Sequence, residues 1–144
     1  MEAIEDLRAG DSVVAYDAEA DEWTECAVRK ISRRQFQGEF ADIDFGDGHS
    51  ITSTASHPYF VIYGRDLSGR PRPRTLDRDE PTSALSGRWV EAADLKPGDK
   101  ILGPSGAMVI QGVNAYVSDE EVFNLEVDDC HNFVVEPGVL VHNS

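Results

Sequence analysis

The sequence has few cysteines and few basic side chains, and each shortage argues against a class of protein. Its two cysteines, Cys26 and Cys130, lack the CxxC spacing of a zinc site and the density of a disulfide framework. We therefore expect both to be free thiols, buried or half-buried. Thirteen Lys and Arg residues against 27 Asp and Glu residues give a net charge of −14. This charge argues against nucleic-acid binding, which needs a positive surface.

Long apolar runs are lacking as well. No stretch approaches the roughly 18 consecutive apolar residues of a membrane-spanning helix. Residues 1–5 contain neither the basic nor the apolar part of a secretory signal. We therefore expect a cytoplasmic protein without membrane or nucleic-acid partners. The acidic residues are densest between residues 2 and 25. This density fits either solubility through self-repulsion or a basic peptide partner, and the sequence leaves both open.

The residues that are present predict an all-β fold with little helix. Short runs rich in β-branched and aromatic residues are closed by Gly, Asp or Pro, as strands usually are. These runs are residues 13–16, 26–28, 40–45, 59–62, 109–110, 122–127 and 132–135. Gly46-Asp47-Gly48 predicts a tight turn, and residues 4–8 and 90–96 predict single helical turns.

Residues 64–88 form a different kind of segment. They include six of the thirteen basic residues, three prolines and almost no apolar periodicity. A loop of this length inside a compact domain is usually functional or disordered. We predict a mobile surface loop that serves as a solvated linker, and binding through its local positive charge is the alternative.

An internal repeat organises the chain. Residues 4–14 align without a gap on residues 92–102, 88 positions later. Both copies contain Asp-Leu, a basic residue, a small residue or proline, Gly-Asp, one further position and two aliphatic residues. Two copies are too few for a solenoid. We interpret them as a duplicated unit within one β domain that has an approximate internal two-fold.

The last residues, His142-Asn143-Ser144, can break the chain. An Asn side-chain amide can attack its own backbone carbonyl, close a five-membered succinimide and release the downstream segment. A folded site accelerates this step by holding the near-attack geometry and by supplying a proton donor and an oxyanion stabiliser. His142 lies beside the bond, and the Ser144 hydroxyl can accept an acyl group before Asn143 cyclises. Residues 137–141, a turn and then an apolar run, are expected to build this end into the sheet.

Two further histidines stand in similar strand-and-turn contexts. Thr54 and His57, three apart at the entry to a predicted strand, can present a hydroxyl and an imidazole to one carbonyl. His131 precedes another predicted strand. Each signal is weak alone, and a structural histidine is the alternative interpretation. Three of the four histidines in comparable positions favour a shared reaction centre, since an imidazole exchanges protons near neutral pH.

At these residues the sequence resembles the Hint superfamily, which comprises inteins, bacterial intein-like domains, pretoxin Hint domains and the hedgehog C-terminal region. The resemblance covers nearly the whole chain. Residues 4–13 resemble the end of the first intein block. Residues 54–57 match the block whose Thr and His activate the upstream bond. Residues 122–133 resemble the penultimate block, and residues 138–144 match the terminal block.

The resemblance implies a horseshoe-shaped, all-β Hint fold with pseudo-two-fold symmetry over residues 1–143, and a single-turnover self-splicing activity without a cofactor. Thr54 and His57 would strain and protonate the N-terminal scissile amide. His131 and His142 would assist the cyclisation of Asn143. Ser144 would be the first residue of the C-terminal extein and its acceptor nucleophile. No endonuclease is implied, and the loop at residues 64–88 would mark the region where larger inteins carry one.

Two positions depart from the family pattern. Family members begin with Cys or Ser on a strand upstream of the Ile4 equivalent, whereas Met1 stands almost directly before it here. Asn124 stands where many inteins have an acidic residue. We therefore predict the large C-terminal fragment of an atypically split intein. A short, basic N-terminal fragment would supply the nucleophile and the first strand by β-augmentation, and the flanking exteins would be further partners.

Three alternatives stay open at this point. The chain could be a contiguous Hint domain cut short at its start, such as a pretoxin domain that performs C-terminal cleavage. It could also be a non-catalytic β binding module of Hint ancestry. No resident metal is expected, and the alternative is an inhibitory zinc ion bound by His57, Cys130, His131 and His142.

Overall fold

Two antiparallel sheets make up the structure, a computed structural model that describes residues 8–17, 22–46, 48–71, 73, 87–104, 106–127, 132–135 and 139–142. The strands are β1 (Ser12–Asp17), β2 (Glu22–Asp44), β3 (Ser50–Thr54), β4 (Pro58–Tyr63), β5 (Arg88–Glu91), β6 (Lys100–Ile101), β7 (Met108–Val109), β8 (Gly112–Val127), β9 (Asn132–Val135) and β10 (Val139–His142). Helix is limited in these ranges to two 3₁₀ turns, Leu67–Gly69 and Ala92–Asp94. None of the described helices is long and apolar enough to cross a membrane. The prediction of an all-β fold with little helix is confirmed.

The first sheet is built on β2. Its N-terminal part pairs with β1, the stretch from Val28 to Asp44 pairs with β8, and its last five residues pair with β3 on the other edge. The register with β8 shifts between Val28 and Lys30. Such irregularities increase local twist. Here the shift lies close to the point where β2 passes from one partner strand to the next.

The second sheet has the order β7-β6-β4-β10-β9, with β5 paired to β4. Within it, β10 lies between β4 and β9 and runs antiparallel to both. Leu140 and Val141 are both buried, with exposures of 0% and 1%. Because neighbouring residues of a strand point to opposite faces, this burial shows that β10 is covered on both faces. The apolar run predicted to build this end into the sheet does so.

Apolar packing joins the two sheets. The larger core cluster draws on β1, β2, β4, β5, β6, β8, β9 and β10. A second cluster lies on the strands around β10 and consists of Tyr16, Phe60, Trp89, Val134 and Leu140. Burying a side chain of this size stabilises the folded state by about 1.5–3 kcal/mol. The second cluster therefore fixes β4, β5, β9 and β10 to one another and to the end of β1.

Every predicted run lies largely within a strand, but the runs 26–28 and 40–45, predicted as separate strands, belong to one strand, β2, and β8 begins well before the predicted run 122–127. Residues 35–39 of β2 pair with residues 117–121 of β8 through mostly polar positions, such as Gln35 opposite Glu121 and Gln37 opposite Asp119. Most of these side chains are exposed. A ribbon without a buried face has no apolar alternation, so periodicity could not reveal it.

The predicted turns have mixed outcomes. The turn at Gly46 is confirmed, because Gly46 and Gly48 have φ of +76° and +77° and the N–H of His49 donates to the Gly46 carbonyl at 2.8 Å. Of the helical turn predicted at residues 90–96, the 3₁₀ turn Ala92–Asp94 is present, while the preceding residues belong to β5. Of the turn predicted at residues 4–8, residues 4–7 lie outside the described residues.

The internal repeat has a structural counterpart. In both copies the aspartate carboxylate accepts a hydrogen bond from the backbone N–H three residues earlier, at 2.9 Å for Asp11 and 2.8 Å for Asp99. The preceding glycines share a left-handed backbone, with φ of +96° at Gly10 and +93° at Gly98. L-residues with a side chain are strained in that region, which explains glycine in both copies. The two halves thus use one local structure twice.

The two copies differ in the partners of the aspartate. Asp99 is 1% exposed and forms a bidentate ion pair with Arg70, which is 6% exposed; Nη2 donates to Oδ1 at 2.8 Å. The side chain of Arg70 also donates to the Arg65 carbonyl at 2.7 Å. The beginning of the predicted loop at residues 64–88 is therefore tied to the core, and Arg88 already belongs to β5. Residues 72 and 74–86 lie outside the described residues, so the mobile loop stays a prediction for them.

The expectation of free thiols is wrong for Cys26, which is disulfide-bonded. The sequence contains one other cysteine, Cys130, so an intramolecular bond can only join that residue, which lies outside the described ranges. Cys26 is buried on β2 opposite Val13. Spacing could not reveal this bond, because two cysteines far apart in the sequence carry no pairing signal of their own.

The repeat provides a matched pair of variants. Asp99→Asn should lower the free energy of unfolding by about 3–5 kcal/mol, because it leaves the buried Arg70 cation without its counter-charge. Asp11→Asn changes the equivalent residue of the first copy, whose carboxylate bonds at the surface, and should cost less than about 1 kcal/mol. Urea unfolding of both variants measures the difference. Equal losses would contradict a stabilising role of the ion pair.

The disulfide predicts a stability that depends on reductant. Cys26→Ser should lower the free energy of unfolding by about 2–4 kcal/mol, since the bond restricts the unfolded chain. Cys130→Ser should have the same effect, and the double variant should be little worse than either single one, because both remove one interaction. Reductant should affect the wild type alone. Additive losses in the double variant would show that the two cysteines are not joined.

Candidate functional site

The end of β10 meets the beginnings of two other strands. Val141 lies opposite Tyr59, the second residue of β4, and His142 lies opposite Asn132, the first residue of β9. Because β10 is antiparallel to both neighbours, its C-terminal end lies beside their N-terminal ends. The beginnings of β4 and β9 therefore adjoin the end of β10. These three strand ends form the candidate functional site.

In the sequence, most of the predicted site residues lie at these strand ends or directly next to them. His57 directly precedes β4, and the backbone of His142 ends β10. In the sequence, His131 directly precedes β9, and Asn143 and Ser144 come after β10. His131, Asn143, Ser144 and the side chain of His142 lie outside the described residues, so their contacts stay predictions. Thr54 and His57 can be followed in full.

Thr54 and His57 are the two ends of a tight turn between β3 and β4. The N–H of His57 donates to the Thr54 carbonyl at 3.1 Å. The 3₁₀ turn Ala92–Asp94 holds this turn from outside, since the Ala92 N–H donates to the His57 carbonyl at 3.0 Å and the Ala93 N–H to the Ala55 carbonyl at 2.9 Å. Thr54 and His57 are both half-buried. The turn is thus a rigid support with some access to solvent.

Tyr59 forms a wall beside His57. The two rings lie 5.7 Å apart between centroids at an interplanar angle of 73°, an edge-to-face arrangement. The hydroxyl of Tyr59 donates to Ser53 Oγ at 2.9 Å. Full burial raises the pKa of Tyr59 far above its ordinary value, and the Ser53 hydrogen bond opposes this only in part. Tyr59 therefore stays neutral. The sequence does not indicate that Tyr59 packs against His57, since a Tyr in an apolar strand predicts only core packing.

Asn132 is a second residue that sequence reasoning missed. It is 6% exposed at the first position of β9. Its side-chain carbonyl accepts from the Tyr16 N–H at 2.8 Å, and its side-chain amide donates to the Tyr16 carbonyl at 3.2 Å. One side chain thus links β9 to β1, which belongs to the other sheet. In the sequence, only its position directly after His131 draws attention to Asn132. Nothing in the sequence predicts its contact with Tyr16.

Among the described residues, no group of three His, Cys, Asp or Glu side chains could hold a metal ion. A cavity of about 440 Å³ is lined by residues around Arg70 and Leu95. None of Thr54, His57 and Tyr59 lines it.

Comparisons with known proteins give one family and several structural relatives. A model of the pretoxin HINT domain family matches residues 76–144. The solution structure of a bacterial intein-like domain from Clostridium thermocellum is 30% identical, with a TM-score of 0.70, and the match covers 97% of this chain and 86% of that one. No curated protein sequence matches significantly.

Two intein structures share the fold at lower identity. The DnaB intein from Synechocystis sp. PCC 6803 is 20% identical, with a TM-score of 0.61 over 99% of this chain and 86% of that one. An intein from a hyperthermophile is 13% identical, with a TM-score of 0.65 over 92% and 71% of the two chains. At these identities the similarity concerns the fold alone.

The buried phenol predicts a specific loss of stability at high pH. Tyr59 ionises near its ordinary pKa of 10.0 in the unfolded chain but only at higher pH in the folded one. Above pH 10 the phenol of the unfolded chain loses its proton while that of the folded chain keeps it. The free energy of unfolding therefore falls by up to about 1.4 kcal/mol per pH unit. Tyr59→Phe removes this contribution. The stability advantage of the wild type over Tyr59→Phe, from urea unfolding, should therefore shrink between pH 9 and 11. A constant difference would contradict the shifted pKa.

Proposed function

The chain belongs to the intein and Hint superfamily, and we propose that this self-processing domain breaks its own backbone after Asn143. Membership of this superfamily supports the general activity, which is self-processing. The specific cleavage rests on one observation: β10 ends between the beginnings of β4 and β9. The residues that the sequence singled out for catalysis adjoin these three strand ends.

The proposed step is the cyclisation of Asn143. Its side-chain amide nitrogen attacks its own backbone carbonyl carbon and loses a proton. The bond from that carbon to the nitrogen of Ser144 breaks, and the departing amine gains a proton. The products are a chain that ends in a succinimide and a downstream segment with a free amino group. His131 and His142 serve as proton acceptor and donor, since an imidazole can do either near neutral pH.

The burial of β10 supports this step. Leu140 and Val141, directly before His142, are held on both faces of the strand. A backbone fixed in this way limits the conformations of the residues that come after it. Holding the amide nitrogen and the carbonyl in near-attack geometry can contribute as much as about 7–11 kcal/mol to lowering a barrier. A frayed chain end would gain nothing from this effect.

Thr54 and His57 serve the upstream scissile bond. In the proposal they polarise its carbonyl and protonate its leaving nitrogen. The 3₁₀ turn Ala92–Asp94 and the edge-to-face contact between His57 and Tyr59 hold the turn that carries them. Because β10 runs toward the start of β4, the upstream and downstream reactions share one region of the domain. Such proximity is needed if an acyl group is to pass to the hydroxyl of Ser144.

Splicing also needs a Cys or Ser nucleophile at an upstream junction. We propose that a separate, short and basic N-terminal fragment supplies it, so that the chain splices in trans. The negative charge of this chain, −14 overall, supports a basic partner, because opposite charges accelerate association. Exposed acidic residues lie on β1 and at the start of β2, among them Asp17, Glu22 and Glu25.

Release of a downstream toxin is the second candidate function. It is favoured by the match of residues 76–144 to the pretoxin HINT domain. The disulfide bond of Cys26 agrees with it, since such bonds persist mainly outside reducing compartments. In this case cleavage at Asn143 is the whole outcome, and the cytoplasmic location proposed from the sequence would not apply.

Cleavage is tested with a reporter protein fused after Ser144. The wild type should release the reporter and leave a mass that corresponds to a succinimide or its hydrolysis product at residue 143. Asn143→Ala should abolish release, and His142→Ala should slow it by about 10²–10⁴-fold. His49→Ala is the matched control, because His49 is exposed in the turn before β3 and should leave the rate unchanged. Equal release from the wild type and from Asn143→Ala would contradict the proposal.

Splicing in trans is tested by mixing. Short basic peptides in which a tag is followed directly by Cys or Ser are added to the reporter fusion. A ligated tag–reporter product that disappears in His57→Ala supports trans-splicing. Efficient release without ligation, whatever peptide is added, supports the toxin-release alternative. If neither release nor ligation is observed, the result supports a non-catalytic binding module.

A further inference from the structure

Asn132 joins two strands that do not pair through their backbones. Its amide group both accepts from and donates to the backbone of Tyr16, at 2.8 and 3.2 Å. This pattern imitates one step of a β ladder, with a side chain in place of the second strand. The bridge is buried, since Asn132 and Tyr16 are each 6% exposed. Buried hydrogen bonds compete little with water and therefore hold a defined geometry.

The bridge acts where the sheet is least supported. β9 has four residues and ends the strand order of its sheet, so β10 is its paired neighbour on one side only. The first residue of such a short edge strand opens easily. Asn132 is that residue. Its bridge to Tyr16 attaches the beginning of β9 to β1, and Val134 packs in the same cluster as Tyr16.

We propose that Asn132 is a positioning residue for the cyclisation of Asn143, an inference that rests on the proposed function. It comes directly after His131 in the sequence and lies opposite His142 in the register. The hydrogen bonds to Tyr16 hold Asn132 in place. The backbone of Asn132 is covalently bonded to His131 and pairs with that of His142. In this proposal the bridge acts through the two histidines that Asn132 follows in sequence and pairs with in the sheet, and takes no part in the reaction itself.

The chemistry of the bridge requires a neutral amide. Asparagine offers an acceptor and a donor on one planar group, whereas aspartate at neutral pH offers acceptors only. Asn132→Asp would keep the bond from the Tyr16 N–H and set a carboxylate oxygen against the Tyr16 carbonyl. Asn132→Ala removes both hydrogen bonds. The two variants should therefore affect the same geometry by different means.

The rate of release from the reporter fusion provides the first test. At a temperature where all variants are folded, Asn132→Ala and Asn132→Asp should slow release by about 10- to 100-fold, as expected for small misplacements of catalytic groups. They should also change the pH profile of the rate, because the imidazoles lose their set positions. Val134→Ala is the matched control: it weakens the same strand by removing buried apolar volume but keeps the bridge. It should alter the rate by less than about threefold and leave the pH profile unchanged.

A second measurement does not depend on cleavage. In the non-cleaving Asn143→Ala background, NMR titration follows the imidazole signals of His131 and His142. Asn132→Ala should shift their apparent pKa values or chemical shifts, while Val134→Ala should not. His57, on the other side of β10, should be affected least by either variant.

The outcomes separate this inference from the proposed function. If the wild type does not cleave but the titration differs as described, the bridge positions the two imidazoles as inferred, while the proposed function fails and with it the role of the bridge in cyclisation. If Asn132→Ala releases the reporter at the wild-type rate and its histidines titrate as in the wild type, the positioning role is wrong. An equal slowing in Val134→Ala would overturn it too, since general loss of stability would then explain the effect.

Discussion

The position of β10 in the middle of its sheet is the constraint on which the rest of the structure depends. This four-residue strand pairs with β4 on one side and β9 on the other, and two of its residues are fully buried. A strand held by both edges and both faces has little freedom. Its end is therefore fixed relative to the beginnings of β4 and β9. The candidate site exists only because of this arrangement.

The support of the site comes from elements distant in sequence. The 3₁₀ turn Ala92–Asp94 holds the turn that contains His57, and the ring of Tyr59 packs edge-to-face with the imidazole. On the other side of β10, the Tyr16 backbone holds Asn132. Each neighbouring strand of β10 thus begins at a residue or turn that is fastened elsewhere. Chemistry that depends on proximity benefits from such fastening, because no strand end has to be ordered during the reaction.

The internal repeat explains part of this architecture and then diverges. Both copies use the same Gly-Asp turn with nearly the same backbone. In the second copy, Asp99 is buried against Arg70, which ties the segment after β4 to the core. In the first copy, Asp11 stays closer to the surface. A shared local structure therefore carries different tertiary contacts, and the second copy is the more deeply anchored.

The sequence alone determined the elements whose cause is local. Runs of β-branched and aromatic residues fix the strands, Gly46 and Gly48 fix a turn through positive φ, and the Gly-Asp repeat fixes two equivalent turns. The same local patterns marked Thr54 and His57 as a pair, because three residues separate them within one turn. The resemblance to the Hint superfamily rested on motifs of this kind.

Tertiary structure alone decided the contacts between distant segments. The polar ribbon of β2 and β8 has no apolar period, the disulfide of Cys26 has no spacing signal, and the bridge from Asn132 to Tyr16 spans 116 residues. Tyr59 looked like an ordinary core residue until the fold set its ring beside His57. The physical reason is common to all four: hydrogen bonds and burial depend on which surfaces meet, and a linear pattern records only which surfaces a segment has to offer.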